Sequence, residues 1–175
     1  MAVPLRRPVR IEPATRPSML AALWGIVFAI PHIVWGLGWW QEALRFSLGL
    51  RVGPEEERVI NDPGFILSSL WGVAALSLAA CGIALSTVQP WGRRLPRWMP
   101  VAGAWGVALV LAIRGLVFPG ILGGLAIEAD LIPLGDDSDP AWNRWNIVLW
   151  SPWFLLGSVL FAGAARHAAI EAKST

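Results

Sequence analysis

The chain has 175 residues, of which 55% are hydrophobic and only 15% are charged, whereas ordinary soluble domains carry about 25% charged residues. This composition is typical of a membrane protein, and the formal charge of +2 is too small to indicate a nucleic-acid partner. The single cysteine, Cys81, excludes a disulfide within one chain and a metal site built from paired thiolates.

The N-terminal segment, residues 1–18, carries four prolines among four arginines. Proline removes a backbone donor and interrupts helices, so we interpret this segment as a basic cytoplasmic tail without an interior helix. Membrane lipids are its expected partner, because anionic headgroups attract arginine. Residues 167–175 are interpreted as a second cytoplasmic tail, which leaves residues 19–166 as the transmembrane domain.

Four segments are long and apolar enough to cross the hydrocarbon core of a bilayer, which takes about 20 helical residues. They are residues 19–39, 65–86, 101–122 and 145–165. The first follows arginines, as a signal peptide would, but its apolar run is longer than usual and bulky residues follow it, so we expect it to be retained. The predicted fold is therefore all-α, an integral membrane four-helix bundle.

The distribution of basic residues predicts the orientation of the bundle. Lys and Arg number nine in the two tails and the connection between the second and third spans, but only four in the other two connections. The side richer in Lys and Arg usually faces the cytoplasm. We therefore expect both termini inside the cell and a multi-pass protein of the plasma membrane.

Both of the longer connections end in an aspartate followed by a proline. Asp62-Pro63 precedes the second span, and Asp139-Pro140 precedes the fourth. An aspartate at the N-cap accepts hydrogen bonds from the free N–H groups of the first turn, and proline is well tolerated at the first helical position. The pattern predicts that a capped helix begins at each proline.

Small residues predict where the helices approach one another closely. In the second span they recur at intervals of three and four residues, which places them on one helical face. They are Ser68, Gly72, Ala75, Ala79, Gly82 and Ser86. Similar residues in the first and third spans are Gly25, Ala29, Ala104, Ala108, Ala112 and Gly115. We expect these faces to be buried against neighbouring helices.

Two ionisable side chains lie inside the predicted spans, His32 in the first and Arg114 in the third. Each is the fourteenth residue of its span, and both spans run outward, so the two side chains should lie at similar depth in the outer half of the bilayer. An arginine at the bilayer centre costs about 2.5–3.5 kcal/mol. We therefore expect both groups to face protein or water rather than lipid.

Tryptophans are expected above the histidine. Trp35 and Trp39 follow His32 at i+3 and i+7, which places them on the same helical face. Pro31 is expected to kink this helix and to leave a backbone carbonyl without its helical donor. A side chain or a water molecule would fill that place.

The second and fourth spans run inward, and among their residues at the same depth are Trp71 and Ser151. We predict one polar pocket in the outer half of the bundle, with tryptophan walls and an outward opening. Its predicted residues are His32, Arg114, Trp35, Trp39, Trp71 and Ser151. The sequence predicts no metal site and no cofactor, and it assigns no catalytic residue.

Each of these residues also has a simpler explanation. The His32 ring could be neutral and bonded to the carbonyl freed by the proline or to a serine of a neighbouring helix. Arg114 could extend to the outer interface or pair with a carboxylate there. The candidate carboxylates are Glu42, Asp62 and Asp130. The tryptophans could form the aromatic belt of the membrane surface, and these alternatives stay open.

Three motifs carry a resemblance to a known family. They are HIVWGLG from His32, the RG pair at Arg114, and WNIVLWSPWFLLG from Trp145. Together they resemble a domain-of-unknown-function family of small four-helix membrane proteins found mainly in actinobacteria. The resemblance spans residues 20–165 and implies the same fold but no activity. By similarity, the positions that match the family are His32, Trp35, Gly36, Arg114, Ser151 and Pro152.

The sequence leaves two functions of different classes. The first, which we favour on the sequence, is a structural or interaction protein that docks another membrane protein or a second copy of the chain. The second is a protein or enzyme that binds a lipid-like or anionic small molecule in the pocket. There Arg114 would supply charge and His32 a hydrogen bond or a proton. A filled interior would support the first function, and a hollow at these two residues the second.

Overall fold

The computed structural model describes residues 16–48, 54–117, 120–133 and 140–174. Every regular element in these residues is a helix. In chain order the helices are α1 (Arg16–Gly36), α2 (Gln41–Leu48), α3 (Pro54–Asn61), α4 (Pro63–Ser86), α5 (Trp98–Leu116), α6 (Ile121–Glu128) and α7, which consists of Pro140–Trp145, Asn146–Trp150 and Ser151–Ser174. A short 3-10 helix, Pro90–Arg94, lies between α4 and α5.

Within the described residues, four helical segments are long and apolar enough to cross a membrane. They are Arg16–Gly36, Pro63–Ser86, Trp98–Glu128 and Trp142–Ile170. The predicted all-α membrane fold with four spans is therefore confirmed. Each segment begins two or three residues before its predicted start, because an apolar run marks the centre of a helix, whereas prolines and polar residues extend its first turn.

The predicted start of α4 is confirmed in detail. Asp62 has an extended backbone, and its Oδ1 accepts a hydrogen bond from the Phe65 N–H at 2.8 Å. Pro63 occupies the first helical position, where its missing N–H leaves no helical bond unmade. The corresponding aspartate before α7, Asp139, lies outside the described residues.

The long helices form two pairs, α1 with α4 and α5 with α7, and α1 packs against α7 to join the pairs. Small residues allow these approaches. A Cβ atom at Gly25 would lie 2.9 Å from the carbonyl oxygen of Ser77, and one at Gly115 would lie 2.9 Å from the Leu155 side chain. The predicted contact faces of α1 and α5 are thus confirmed at both glycines and at the buried residues Ala29, Ala104 and Ala108.

The predicted small-residue face of α4 is wrong for most of its members. Ser68, Ala75 and Ala79 are exposed, and a Cβ atom at Gly82 would meet nothing within 4 Å. The face that is buried instead is displaced around the helix and consists of Leu70, Ala74, Ser77, Ala80, Cys81 and Ala84. Small size permits a close approach, but the position of the neighbouring helix decides which small residues are used.

Aromatic rings fill the core between α1 and α7. Trp24 is buried, stacks on Phe28 and Trp153, and donates from Nε1 to the carbonyl oxygen of Trp153 at 3.1 Å. Phe161 meets the same indole edge-on and is fully buried. These contacts hold α1 and α7 at a fixed spacing.

Helix α1 ends at Gly36, before the predicted boundary at Trp39. Gly38, at φ 80°, and Trp40, at φ 53°, adopt left-handed backbone conformations that turn the chain out of the helix. Trp39 therefore does not extend the helical face of His32, and its side chain is 64% exposed.

The third predicted span, residues 101–122, is interrupted. Helix α5 ends at Leu116 and α6 begins after Gly120, whose backbone lies so close to Gly115 that a Cβ atom would collide with the Gly115 carbonyl group. Helices α2 and α6 both contact the first turns of α7, and α3 contacts the start of α4. We call this end of the bundle, formed by α2, α3 and α6, the distal end.

The two halves of the chain repeat one order of elements, although no sequence repeat is evident. Among the described residues, a long helix is followed in the first half by two short helices and in the second half by one, and then in each half by a second long helix with a π-helical turn near its start. Ser69 lies six residues after Pro63, and Asn146 lies six residues after Pro140. These two residues therefore occupy matching positions in the two halves.

Candidate functional site

A cavity of about 180 Å³ lies at the distal end among α1, α2, α4, α5 and α7. The lining residues with polar atoms are His32, Ser47, Ser69, Arg114, Asn146 and the tryptophans Trp35, Trp142 and Trp150, whose indoles each carry one N–H group. Its apolar walls are mainly aromatic and include Phe28, Phe65, Trp142, Trp150 and Phe154. His32 and Arg114, the two ionisable residues of the predicted spans, thus line one hollow together with the matching pair Ser69 and Asn146.

His32 is fixed in the cavity wall by its own helix. Its Nδ1 lies 2.8 Å from the carbonyl oxygen of Phe28, one turn earlier in α1. A carbonyl oxygen only accepts, so Nδ1 carries the hydrogen of this bond. The ring also contacts Phe28 and Trp35, with centroid distances of 4.7 and 5.4 Å. Its Nε2 has no partner among the described residues and can bond to a molecule in the cavity.

Arg114 reaches the cavity from α5 and makes two contacts with α7. Its Nη2 donates to Oδ1 of Asn146 at 3.2 Å, and the guanidinium carbon lies 4.6 Å from the centre of the Phe154 ring. No carboxylate among the described residues pairs with it, since Glu42 bonds to another arginine and Asp62 caps α4. Its Nη1 is buried without a hydrogen-bond partner. The guanidinium is therefore oriented but not neutralised.

Two further donors of the lining lack an acceptor. Asn146 is 1% exposed and its Nδ2 is unpartnered, and Trp35 is 8% exposed with an unpartnered Nε1. A buried donor without a partner costs about 1–3 kcal/mol. Together with Nη1 of Arg114, these atoms give the described lining three buried donor nitrogens without an acceptor. No carboxylate lies in the described lining.

The π-helical turns bring polar residues of α4 and α7 into the lining. They are Ile66–Gly72 and Asn146–Trp150. A π-turn inserts one residue into a helical turn, and such turns are frequent at functional sites. Ser69 lies within the first turn and Asn146 begins the second, and both line the cavity.

Helix α2 covers one side of the cavity. Leu44 is 1% exposed and lines the hollow together with Ser47 and Leu48. On its other side Arg45 bonds to Glu57 of α3 at 3.1 Å, which ties the two short helices together. The sequence analysis missed this cover because α2 lies in a connection, although the spacing of its two leucines at i and i+4 was a usable signal.

Three of the six predicted pocket residues line the cavity, namely His32, Trp35 and Arg114. The other three do not. Trp39 lies beyond the end of α1, and Trp71 is 38% exposed with its ring packed over Gly36. Ser151 is fully buried outside the lining, with an unpartnered hydroxyl. Tryptophans of α7 provide walls in place of Trp39 and Trp71.

Asn146 is the lining residue in direct contact with Arg114, and the sequence analysis missed it. Its signal was an amide in the otherwise apolar opening of α7. A second amide one turn earlier, Asn143, fixes this part of the helix by donating from Nδ2 to the Gly124 carbonyl oxygen at 3.0 Å and to Oε1 of Glu128 at 3.1 Å. The start of α7, and with it Asn146, is therefore anchored to α6.

Hydrogen bonding and charge are the chemical resources of this cavity. Among the described residues, no group of three or more His, Cys, Asp or Glu side chains is placed to hold a metal ion. Cys81 is buried in the interface between α1 and α4. The lining can bind and orient a polar group, and His32 Nε2 can accept one hydrogen bond, because the ring hydrogen lies on Nδ1.

Four helices of membrane-spanning length around a polar hollow define a small multi-pass helical protein. Within that class, the chain belongs to the family described as "Protein of unknown function (DUF3995)", whose profile matches residues 25–161. The matched part contains every residue of the cavity lining. The predicted membership of a domain-of-unknown-function family is confirmed, and its actinobacterial source stays a prediction. Comparisons with curated proteins and with solved structures return no match.

Proposed function

We propose that this protein lies in the cell membrane and binds a lipid-like or anionic small molecule in the cavity at the distal end. The observation that carries the proposal is Arg114, which lines a hollow without a carboxylate partner among the described residues. An arginine at the bilayer centre costs about 2.5–3.5 kcal/mol, and each buried unpartnered donor adds about 1–3 kcal/mol. A bound molecule that carries acceptors would offset both costs.

The walls of the cavity favour a molecule with an apolar part. Ligand sites are typically apolar hollows with a few placed polar groups, and here aromatic rings of α1, α4 and α7 surround the donors. His32 adds one hydrogen bond through Nε2. We assign His32 a role in binding and no role in catalysis.

We further propose that both termini lie in the cytoplasm and that the cavity opens to the outside. Arg93, Arg94 and Arg97 are exposed at the end of the bundle opposite the distal end, where anionic cytoplasmic lipids would attract them. Trp39 and Trp40, at the distal end, are 64% and 74% exposed. Exposed tryptophans are expected at the opposite membrane surface.

Docking of another membrane protein, or of a second copy of the chain, is the alternative that the sequence favoured. It predicts a filled interior in which His32 and Arg114 bond to protein groups. The cavity fits that expectation poorly, because three buried donors of its lining lack a protein acceptor. The exposed apolar faces of the long helices suit lipid as well as protein and do not favour docking.

Mass spectrometry of the lipids and metabolites that copurify with the protein in neutral detergent tests the proposal. The wild type is compared with Arg114→Met, which keeps an apolar stem and removes the charge. Arg93→Met is the matched control at the opposite end. We expect one class of small molecule to be retained by the wild type and the control and lost from Arg114→Met. Equal retention by all three proteins, or by none, would contradict the proposal.

A further inference from the structure

We infer that the molecule in the cavity presents a singly charged oxyanion to Arg114, Asn146 and Trp35. The oxyanion would be the carboxylate or phosphodiester at the head of an amphiphile. This inference rests on the proposed function and narrows its ligand to one chemical class. Four properties of the cavity carry it: the type of its free hydrogen-bonding groups, its charge, the direction from which the guanidinium is accessible, and its volume.

The unpartnered buried atoms of the lining are all hydrogen-bond donors. They are Nη1 of Arg114, Nδ2 of Asn146 and Nε1 of Trp35, and none of these nitrogens accepts a hydrogen bond. A ligand that satisfies them must supply acceptors. An ionised carboxylate or a phosphodiester supplies several acceptor oxygens, whereas an uncharged hydroxyl or amide head supplies a single acceptor oxygen for the three nitrogens.

The charge of the lining determines the charge of the head that fits. Arg114 is the one permanent cation of the described lining, and no carboxylate lies there. A monoanion cancels this charge. A neutral head leaves the charge of Arg114 unpaired, and a dianionic head leaves a net negative charge. Both are unfavourable, because unpaired charges are costly at membrane depth.

Phe154 leaves the edge of the guanidinium for the anion. The ring covers one face of Arg114, with 4.6 Å between the guanidinium carbon and the ring centre, and Asn146 occupies Nη2. Nη1 is the terminal nitrogen left without a partner, and oxyanions favour the guanidinium plane because the N–H bonds point that way.

The volume restricts the part of the ligand that the cavity encloses. The cavity has a volume of about 180 Å³. Sites for whole drug-sized ligands span about 300–1,000 Å³. The charged head and a few methylenes fit, and the remaining chain of an amphiphile lies outside, against the apolar surfaces of the helices.

The test compares three probes on the purified full-length chain, with bound molecules counted by native mass spectrometry. Oleate has a charge and a chain, oleyl alcohol has the same chain without the charge, and acetate has the charge without the chain. We expect oleate to bind at least about tenfold more tightly than either of the others, because hydrogen bonds to a charged group are stronger than neutral ones.

Phosphatidylglycerol is then added as a competitor. Its displacement of oleate assigns the site to phosphodiester lipids, and its failure assigns the site to carboxylates.

Two variants connect this preference to the lining. Arg114→Met should abolish the difference between oleate and oleyl alcohol, and Trp35→Phe, which keeps a ring and removes one donor, should weaken oleate binding severalfold. Arg93→Met and Trp91→Phe are the matched controls at the opposite end and should bind like wild type. If Arg114→Met does not fold, Trp35→Phe tests whether the lining donors bind the oxyanion. Oleate binding by Trp35→Phe that equals wild-type binding would overturn the inference.

Equal binding of oleate and oleyl alcohol by the wild type would overturn the oxyanion and leave the proposed function standing. Binding of acetate as tight as that of oleate would overturn the amphiphile and assign the site to a free anion. These results differ from failure of the proposed function. In that case, neither the binding of these probes nor the retention of any copurifying molecule would depend on Arg114.

Discussion

Arg114 on α5 donates a hydrogen bond from Nη2 to Oδ1 of Asn146 on α7 at 3.2 Å. Oδ1 is the acceptor atom of the Asn146 side chain, and the bond leaves its Nδ2 without a partner. Nη1 of Arg114 also has no partner. Asn146 therefore orients the guanidinium without cancelling its charge. A carboxylate in the same place would do both, so a substitution at this position tests the account with little change in side-chain shape.

Asn146→Asp should weaken oleate binding at least about tenfold and raise the melting temperature of the ligand-free protein, because the new carboxylate pairs with Arg114 from within the chain. The measurement is thermal unfolding in detergent with and without oleate. Asn61→Asp is the matched control, since Asn61 is exposed and its Nδ2 bonds to the Glu57 carbonyl oxygen. A larger oleate-induced shift in Asn146→Asp than in wild type would contradict the role of Arg114.

Gly115→Leu should destabilise the protein by about 1–3 kcal/mol, the usual cost of overpacking. A Cβ atom alone would come within 2.9 Å of Leu155 and 3.0 Å of the Ser151 carbonyl oxygen. Gly82→Leu should be neutral or slightly stabilising, because a Cβ there meets nothing within 4 Å and leucine has the better helix propensity. Melting temperatures of the two variants distinguish these outcomes. Equal destabilisation would mean that both faces of the bundle are packed against protein.

Leu44→Ala should loosen α2 over the cavity, because truncation of a buried leucine costs about 2–5 kcal/mol and Leu44 is only 1% exposed. The effect should appear as faster amide hydrogen exchange at residues 41–48, with little change in the long helices. Val59→Ala, at a position 45% exposed, serves as the control. Unchanged exchange across α2 would show that Leu44 does not hold the cover in place.

Single cysteines at Ser138 and Ser174, in a Cys81→Ala background, should react with an impermeant thiol reagent from opposite sides of the membrane. The basic connection between α4 and α5 predicts that the Ser174 side is cytoplasmic. Labelling of intact cells, compared with permeabilised cells, makes the measurement. Reaction of both cysteines in intact cells would reverse the proposed orientation at the C-terminus.

The number and approximate positions of the long helices could be predicted because an apolar run of about 20 residues has few alternatives to a helix in a bilayer. The start of α4 could also be predicted, since the Asp62 cap depends on residues three positions apart. The packed face of α4 could not. Its small residues permit several faces, and the choice depends on where α1 lies, which no local pattern encodes.

The candidate site was accessible to sequence analysis through its two charged or ionisable residues and through the helical face that they define, which led to Trp35. His32 and Arg114 were conspicuous because ionisable groups are costly at membrane depth. Asn146 is neutral and drew no attention, and the π-turn that begins with it shifts the helical register, so counting residues at 3.6 per turn does not place it reliably. Trp39 was misplaced for a similar reason, because the left-handed backbone at Gly38 ends the helix before it.

An experimental density map of the protein purified without added ligand tests the central claim most directly, namely that an anion occupies the space at Arg114. The account predicts non-protein density in hydrogen-bonding contact with Nη1 of Arg114 and Nδ2 of Asn146, continuing past the Trp35 ring toward the lipid. A cavity filled by protein side chains, or an Arg114 paired with a carboxylate of the chain itself, would contradict it.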